Sequence, residues 1–278
     1  MHALIVTNYE KDTSRQLQSM LITELEKRKI TYTSIDYKNI RDLTSDANDS
    51  LMFILGGDGT LLGSLRYSAD LQIPAVGINS GRKGFLIEIG KDEIKKALDS
   101  ISEGKYSVQD RIILSADIYS GSGSILYSDI VAVNDFAVSR LGHARMIRLG
   151  VHIDSGYEDA FDADGVLIST PTGSTAYSLS AGGPIIMPEV SCLLITPICA
   201  HSLHTRPVVV GADAGIKVSV ENNDEDIIVT ADGQSSHTLP CGGYIIVRKY
   251  AKSAKFITLD YNDYYNRFKE KMLNWAND

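Results

Sequence analysis

Gly56-Gly57-Asp58-Gly59-Thr60 is the stretch that indicates the fold, because it joins two apolar runs of different character. The run before it, 51–55, is short enough for a buried strand, and the run after it, 61–65, begins like a helix. A glycine turn between strand and helix directs backbone N–H groups outward, where they and the helix dipole favour phosphate. The carboxylate of Asp58 can accept a proton from a hydroxyl or help to hold a divalent metal. A tight turn in which Asp58 caps the helix is the alternative.

Upstream and downstream of this loop, apolar strands alternate with helical patterns. This alternation predicts a Rossmann-like parallel sheet covered on both faces. Ligands of such sheets bind at the carboxyl ends of the strands, where 56–60 and 79–85 both fall. The predicted strands are 3–6, 30–35, 51–55 and 75–78, and a further helix follows Asp92.

The second half of the chain has a different character, with many short strands between Gly, Asn and Asp residues. This pattern predicts a mainly antiparallel β region. A last strand, 256–259, and a helical pattern, 264–275, resemble the first region, and we expect them to return to it. The predicted domains are therefore 1–104 plus 252–278, an α/β domain, and 105–251, a β-rich domain.

Composition limits the classes of partner and compartment. The 278 residues are 44% hydrophobic, which is enough for a sizeable core, and the net charge of −8 argues against nucleic acid as a partner. The three cysteines have no metal-ligand or redox spacing, which favours a cytoplasmic protein. We expect neither a signal peptide nor a membrane span.

A second informative stretch, 164–177, places a strand before a turn rich in hydroxyl groups. Such hydroxyls at a helix N-terminus can bind a ribose or a phosphate, and a turn capped by its own hydroxyls is the alternative. The hydroxyl residues of the turn are Thr170, Thr172, Ser174 and Thr175.

Asn134-Asp135 follows a predicted strand, so its amide and carboxylate can bind an adenine edge and a ribose diol. A simple turn is the alternative reading. Arg145 and Arg148 follow, and each can reach a phosphate or stay solvated. Asp232-Gly233-Gln234 has the pattern of a hairpin turn.

Taken together, these residues resemble those of NAD kinases, the enzymes that make NADP from NAD. The glycine loop alone is shared with phosphofructokinases and lipid kinases, whereas 164–184 is highly specific. The resemblance covers nearly the whole chain, in matching order and spacing, through 56–60, 79–86, 134–135, 164–184, 201–203, 206–207 and 232–234.

The resemblance implies that Asp58 is the catalytic aspartate and that Gly59 lines the site beside it. It also implies that Asn134 and Asp135 hold the adenosine part of NAD. Many relatives carry Arg where Asp162 stands, and a carboxylate cannot replace the charge of an arginine. The other positions that the resemblance places along the NAD site are Phe85, Arg145, Asp162, Asp164, Thr175, Ala176, Tyr177, Ser180 and Gln234.

The phosphoryl donor is expected to be ATP, another triphosphate or polyphosphate. No Walker lysine follows the loop, so loop amides, Mg²⁺ and the cations Arg82 and Lys83 are the candidates for holding it. We assign no metal ligand, because Mg²⁺ is expected to be bound mainly through the donor phosphates. The family resemblance also implies a homodimer or homotetramer. A lipid or sugar kinase sharing the loop and a non-catalytic dinucleotide sensor are the alternative functions.

Overall fold

In the computed structural model, the described residues are 1–10, 12–43, 49–79, 86–87, 89–142, 146–154, 156–202, 204–221, 227–259 and 269. They divide into two compact units, one of Met1–Asp110 with Ala254–Asp278 and one of Arg111–Ser253. Within these residues, no helix is long and apolar enough to cross a membrane.

The first unit is built on a single sheet. Its strands are β1 (His2–Thr7), β2 (Thr31–Asp36), β3 (Ser50–Leu55), β4 (Ala75–Asn79), β5 (Ile89–Gly90), β6 (Tyr106–Arg111) and β19 (Ala254–Leu259). They lie in the order β2-β1-β3-β4-β19-β6, with β5 beside β4. The pairings of β1 with β2 and β3, and of β4 with β3, β5 and β19, are all parallel. The predicted parallel sheet is confirmed.

Helices cover both faces of this sheet, as the alternating pattern predicts. They are α1 (Asp12–Lys27), α2 (Asp58–Leu71) and α3 (Ile94–Ser102). Leu21 of α1 and Leu98 of α3 share one core cluster with Val76 of β4. Gly77, the next residue of β4, faces the opposite way, and a Cβ there would lie 3.1 Å from a methyl group of Leu61 in α2. A side chain at this position would therefore need Leu61 to move by a few tenths of an ångström.

The last strand of the chain returns to the first unit. β19 lies between β4 and β6, and Phe256 pairs with Ala75. This confirms the predicted return of the strand. Of the helix predicted over 264–275, the structure describes only Lys269, which is helical.

The second unit contains two antiparallel sheets of six strands each. Their orders are β11-β10-β15-β18-β7-β8 and β14-β13-β12-β9-β16-β17, and we call the second of these the β9 sheet. The strands are β7 (Leu114–Tyr119), β8 (Ile125–Ala132), β9 (Asp135–Arg140), β10 (Ile147–Ile153), β11 (Tyr157–Ala163), β12 (Gly165–Ser169), β13 (Cys192–Ile198), β14 (Val208–Gly211), β15 (Ile216–Glu221), β16 (Ile227–Ala231), β17 (Ser235–Leu239) and β18 (Tyr244–Lys249).

One hydrophobic cluster joins the inner faces of the two sheets. It contains Val151 and Val218 from one sheet and Phe136, Val166 and Val229 from the other. The outer face of the β9 sheet is covered in part by the short helix α4 (Tyr177–Ser180), which follows a 3-10 turn at Thr172–Thr175. The predicted antiparallel β region is confirmed.

Four strands were not predicted from the sequence, and each pairs with a single neighbour: β5, β6, β11 and β17. β5 has only two residues, which is too short for any periodic pattern. An edge strand forms backbone hydrogen bonds with a neighbour on one side only. These strands contain many polar or exposed residues, so their sequences show no clear alternation of apolar and polar positions. β11, for example, reads YEDAFDA, and β17 reads SSHTL. Their strand state is decided by the neighbour with which they pair.

Candidate active site

The glycine loop lies at the carboxyl ends of neighbouring parallel strands. Gly56 directly follows β3, and its N–H donates to the carbonyl of Ile78 in β4 at 3.3 Å. The amide of Asn8, just beyond β1, donates to the hydroxyl of Thr60 at 3.1 Å. A Cβ on Gly56 would lie 2.8 Å from that hydroxyl oxygen, so glycine is required here. The sequence alone does not predict this contact of Asn8.

Asp58 is the first residue of α2, and its side chain is exposed. The helix cap is Gly57, which has no side-chain capping bond, so the alternative in which Asp58 caps the helix is wrong. Among the described residues, no group donates a hydrogen bond to the Asp58 carboxylate. The N-terminus of α2 therefore presents backbone N–H groups and one exposed carboxylate together.

In the second unit, the main chain of Asn134 and Asp135 is held by the carboxylate of Asp232. Oδ1 of Asp232 accepts from the N–H groups of Asn134 at 2.7 Å and Asp135 at 3.3 Å. Oδ2 accepts from the N–H of Val133 at 3.0 Å. In return, the N–H of Asp232 donates to the carbonyl of Asp135 at 3.0 Å. Asp232 lies in the turn between β16 and β17, where the sequence predicted a hairpin.

The carbonyl groups of the same segment are held from the other side by Thr170. Its N–H donates to the carbonyl of Asn134 at 2.8 Å, and its hydroxyl donates to that of Val133 at 2.8 Å. Gly173 approaches so closely that a Cβ there would lie 2.1 Å from the carbonyl oxygen of Asn134. The backbone of Asn134 is thus fixed at both its N–H and its carbonyl group.

The side chains of this pair, by contrast, have few local partners. Oδ1 of Asn134 is buried and has no hydrogen-bond partner among the described residues. Asp135 is 5% exposed, and no described group donates to its carboxyl. Burial, together with the nearby charge of Asp232, raises the pKa of Asp135 to about 7. Unpartnered buried polar atoms on a fixed backbone are typical of a site that a ligand completes.

The segment that contains the predicted NAD-site positions 175–180 covers the same face of the β9 sheet as the Asp135 side chain. Side chains alternate along β9, so Asp135 shares a face with Ala137, which packs in a cluster with Ala181, just beyond α4. Ser178 of α4 exchanges a 2.8 Å hydrogen bond with Thr196 on that face. The structure therefore brings Asp135 and the 175–180 segment to one side of the sheet.

Three of the four hydroxyl groups in the turn before α4 donate hydrogen bonds to backbone carbonyls of the protein. Ser174 is buried and donates to the carbonyl of Pro171 at 2.6 Å. The hydroxyl of Thr175 donates to the carbonyl of Thr172 at 3.3 Å, and that of Thr170 holds Val133 as described. This is the self-capped turn that the sequence analysis kept as an alternative. Its hydroxyl groups stabilise the loop.

Two predicted aspartates are paired with arginines. Asp164 accepts from Nε of Arg140 at 2.9 Å, a partner that the sequence analysis had not named. Asp162 lies opposite Arg148 in the pairing of β11 with β10, with 3.4 Å between their charged groups, and Arg148 also lies 3.9 Å from Glu221. Arg148 thus belongs to a half-exposed network of carboxylates, which fits the solvated alternative better than a phosphate site.

Several positions that were predicted for the NAD site or the donor side take no part in the contacts described above. Phe85, Arg82, Lys83 and Arg145 lie outside the described residues. Gln234 is exposed in the turn that contains Asp232.

The described residues contain no cluster of three or more His, Cys, Asp or Glu side chains that could hold a metal. The single carboxylate of Asp58 does fit Mg²⁺, which commonly takes one or two protein carboxylates together with substrate phosphates.

Comparisons with known proteins agree with this geometry. Residues 3–106 match the ATP-NAD kinase N-terminal domain, and residues 133–259 match the ATP-NAD kinase C-terminal domain. The chain is 39% identical to the NAD kinase of Geotalea daltonii over 245 residues, covering 88% of this chain and 85% of that protein. It is 37% identical to the NAD kinase of Moorella thermoacetica over 277 residues, covering 96% and 88%.

Two solved structures share the fold. Yeast NADH kinase complexed with NADH superimposes with a TM-score of 0.82 at 25% identity, covering all of this chain and 89% of that one. An NAD kinase from Archaeoglobus fulgidus in complex with ATP gives a TM-score of 0.75 at 27% identity, covering 97% and 98%. From its sequence, its fold and these relatives, the chain belongs to the NAD kinase family.

Proposed function

We propose that this NAD kinase phosphorylates NAD through Asp58, with ATP or another phosphoryl donor as co-substrate. The observation that carries the proposal is the N-terminus of α2, where the exposed carboxylate of Asp58 lies beside backbone N–H groups. The acceptor is the adenosine 2′-hydroxyl of NAD. The hydroxyl oxygen attacks the γ-phosphorus of the donor, the bond from that phosphorus to the leaving oxygen breaks, and the hydroxyl proton passes to the Asp58 carboxylate.

The N–H groups of 57–60 stabilise the transferring phosphoryl group in this scheme. Such donors act most strongly when they are already oriented before the reaction, and the α-helical geometry of 58–60 provides this orientation. The hydrogen bonds of Gly56 to β4 and of Thr60 to Asn8 support it, because they tie the loop to two strands. Mg²⁺ bound together with the donor would neutralise part of the phosphate charge. Asp58 would be the residue that contacts the ion.

The adenosine part of NAD is assigned to Asn134 and Asp135. Two features support this role: the backbone of the pair is fixed by Asp232 and Thr170, and the amide oxygen of Asn134 lacks a partner within the described chain. An amide can pair with an adenine edge, and a carboxyl group can pair with a ribose diol.

The remaining positions of the proposed NAD site follow from family similarity. They are Gly59, Phe85, Arg145, Asp162, Asp164, Thr175, Ala176, Tyr177, Ser180 and Gln234, with Arg82 and Lys83 on the donor side. In this proposal the domain of 1–104 plus 252–278 contains the glycine loop, and the domain of 105–251 contains the NAD site. We also propose a homodimer or homotetramer in the cytoplasm, consistent with three unpaired cysteines.

A single assay tests the function against its alternatives. Purified protein is incubated with NAD, Mg²⁺ and ATP, and NADP formation is followed, with polyphosphate replacing ATP in a parallel reaction. We expect NADP to form with at least one of the two donors. A dinucleotide sensor would bind NAD without forming NADP, and a lipid or sugar kinase would do neither. Light scattering of the same sample measures the oligomeric state.

A further inference from the structure

Asp232 makes contacts that a simple hairpin turn does not require. Its two carboxylate oxygens accept three consecutive backbone N–H groups, those of Val133, Asn134 and Asp135, and its own N–H donates back to Asp135. A carboxylate that accepts several backbone N–H groups forms strong, charge-assisted hydrogen bonds. These contacts join the turn after β16 to the segment between β8 and β9.

We propose that Asp232 is a positioning residue for NAD, which fixes the backbone of Val133–Asp135 so that the side chains of Asn134 and Asp135 stand ready for the adenosine part of the substrate. This inference rests on the proposed NAD site. Asp232 acts through its neighbours, and no contact of Asp232 with the substrate is needed.

Three observations support fixation of the backbone before the ligand binds. The N–H groups are held by Asp232, the carbonyl groups by Thr170, and Gly173 packs against the carbonyl of Asn134 at a distance that excludes a Cβ. The buried side-chain oxygen of Asn134 nevertheless has no partner among the described residues. A fixed backbone with an unsatisfied side chain reduces the ordering that binding would otherwise require.

The charge of Asp232 adds a second effect, on the carboxyl group of Asp135. Of the elements around Asp135, β12 has no ionisable side chain, α4 has only Tyr177, and β16 leads directly into Asp232. Arg140, at the far end of β9, is paired with Asp164. The carboxylate of Asp232 therefore favours the protonated form of Asp135, in addition to the effect of burial.

Asp232→Asn is the most informative variant. Asp232 has a left-handed backbone, with φ of 53°, and asparagine tolerates this conformation as well as aspartate does. The substitution removes the charge and turns one hydrogen-bond acceptor into a donor that faces a backbone N–H. Asp129→Asn is the matched control, because Asp129 has φ of 55°, is exposed and lies in the same unit.

The test measures NAD affinity by calorimetry and the Michaelis constants for NAD and ATP in both variants and the wild type. For Asp232→Asn we expect the NAD dissociation constant to rise by about 10- to 100-fold, with the ATP Michaelis constant changed by less than about threefold. NAD affinity should also change with pH as Asp135 ionises. The midpoint of this change should lie at lower pH in Asp232→Asn than in the wild type, because Asp135 loses its negative neighbour. Asp129→Asn should match the wild type in all three measurements. A purely structural role would lower thermal stability without this selectivity.

Hydrogen exchange in the wild type supplies a test that does not depend on a variant. The amides of Val133, Asn134 and Asp135 should be protected in the NAD-free protein as strongly as those of the remaining residues of β9. The inference is overturned if these amides exchange freely, or if folded Asp232→Asn binds NAD like the wild type. Either result leaves the proposed function intact as long as the wild type forms NADP. Failure of the wild type to form NADP or bind NAD would instead refute the proposed function.

Discussion

Asp135→Asn is expected to stabilise the ligand-free protein, and by more at high pH than at low pH. Burial, with a contribution from the charge of Asp232, raises the pKa of Asp135 from 3.8 to about 7. Between these two pH values the folded state keeps a proton that the unfolded state has released. The neutral carboxyl of Asp135 therefore makes its full contribution to the free energy of unfolding below the pKa of the unfolded state. This contribution is lost as the pH rises through the pKa of the folded state.

The magnitude follows from the distance between the two pKa values. Each pH unit between them corresponds to about 1.4 kcal/mol of unfolding free energy. Over the whole interval, ionisation of Asp135 destabilises the fold by an amount on the order of 4 kcal/mol. Asparagine has nearly the same shape and no charge, so it avoids this loss. The same substitution removes a carboxyl group from the proposed ribose contact, so NAD affinity should fall while stability rises.

Urea unfolding of the wild type and Asp135→Asn at several pH values between about 5 and 8.5 measures this effect. The stability difference should grow with pH and level off above about 7. Asp129→Asn serves as the control, because it removes an exposed carboxylate elsewhere in the same unit. If the difference in unfolding free energy between Asp135→Asn and the wild type stays constant with pH, the reasoning is refuted. Such a result would show that Asp135 has the same pKa in the folded and unfolded states.

Three further predictions concern the loops. Asp58→Asn should retain NAD affinity while turnover falls by about 10²- to 10⁴-fold, the usual effect of losing a general base; near-normal turnover would exclude this role. Gly173→Ala should lower the urea midpoint and weaken NAD binding, because its Cβ would lie 2.1 Å from a backbone oxygen, whereas Gly211→Ala, with open space around it, should not. Arg82→Ala or Lys83→Ala should raise the Michaelis constant for the donor at low salt and less so at high salt, with NAD affinity retained; no change at either salt would mark both as surface charges.

Much of the fold could be predicted from the sequence, because the elements that build the two cores have periodic apolar residues. The apolar run before the glycine loop became β3, and the predicted face of α3 is buried as expected from Ile94, Ala97, Leu98 and Ile101. Edge strands such as β11 and β17 lacked this periodicity, since only one of their sides is paired. The sequence could not show them, because pairing with a neighbour stabilises an edge strand more than its own residues do.

The sequence by itself determined which short motifs stand at strand ends, and so where a phosphate loop and a dinucleotide site belong. Only the tertiary structure decided how these motifs work. It placed the carboxylate of Asp232 against Asn134, 98 residues earlier in the chain, and it used the hydroxyls of Thr170 and Ser174 to hold a loop. It also raised the pKa of Asp135, because desolvation depends on all the strands and helices that surround a side chain, and no local sequence pattern contains that information.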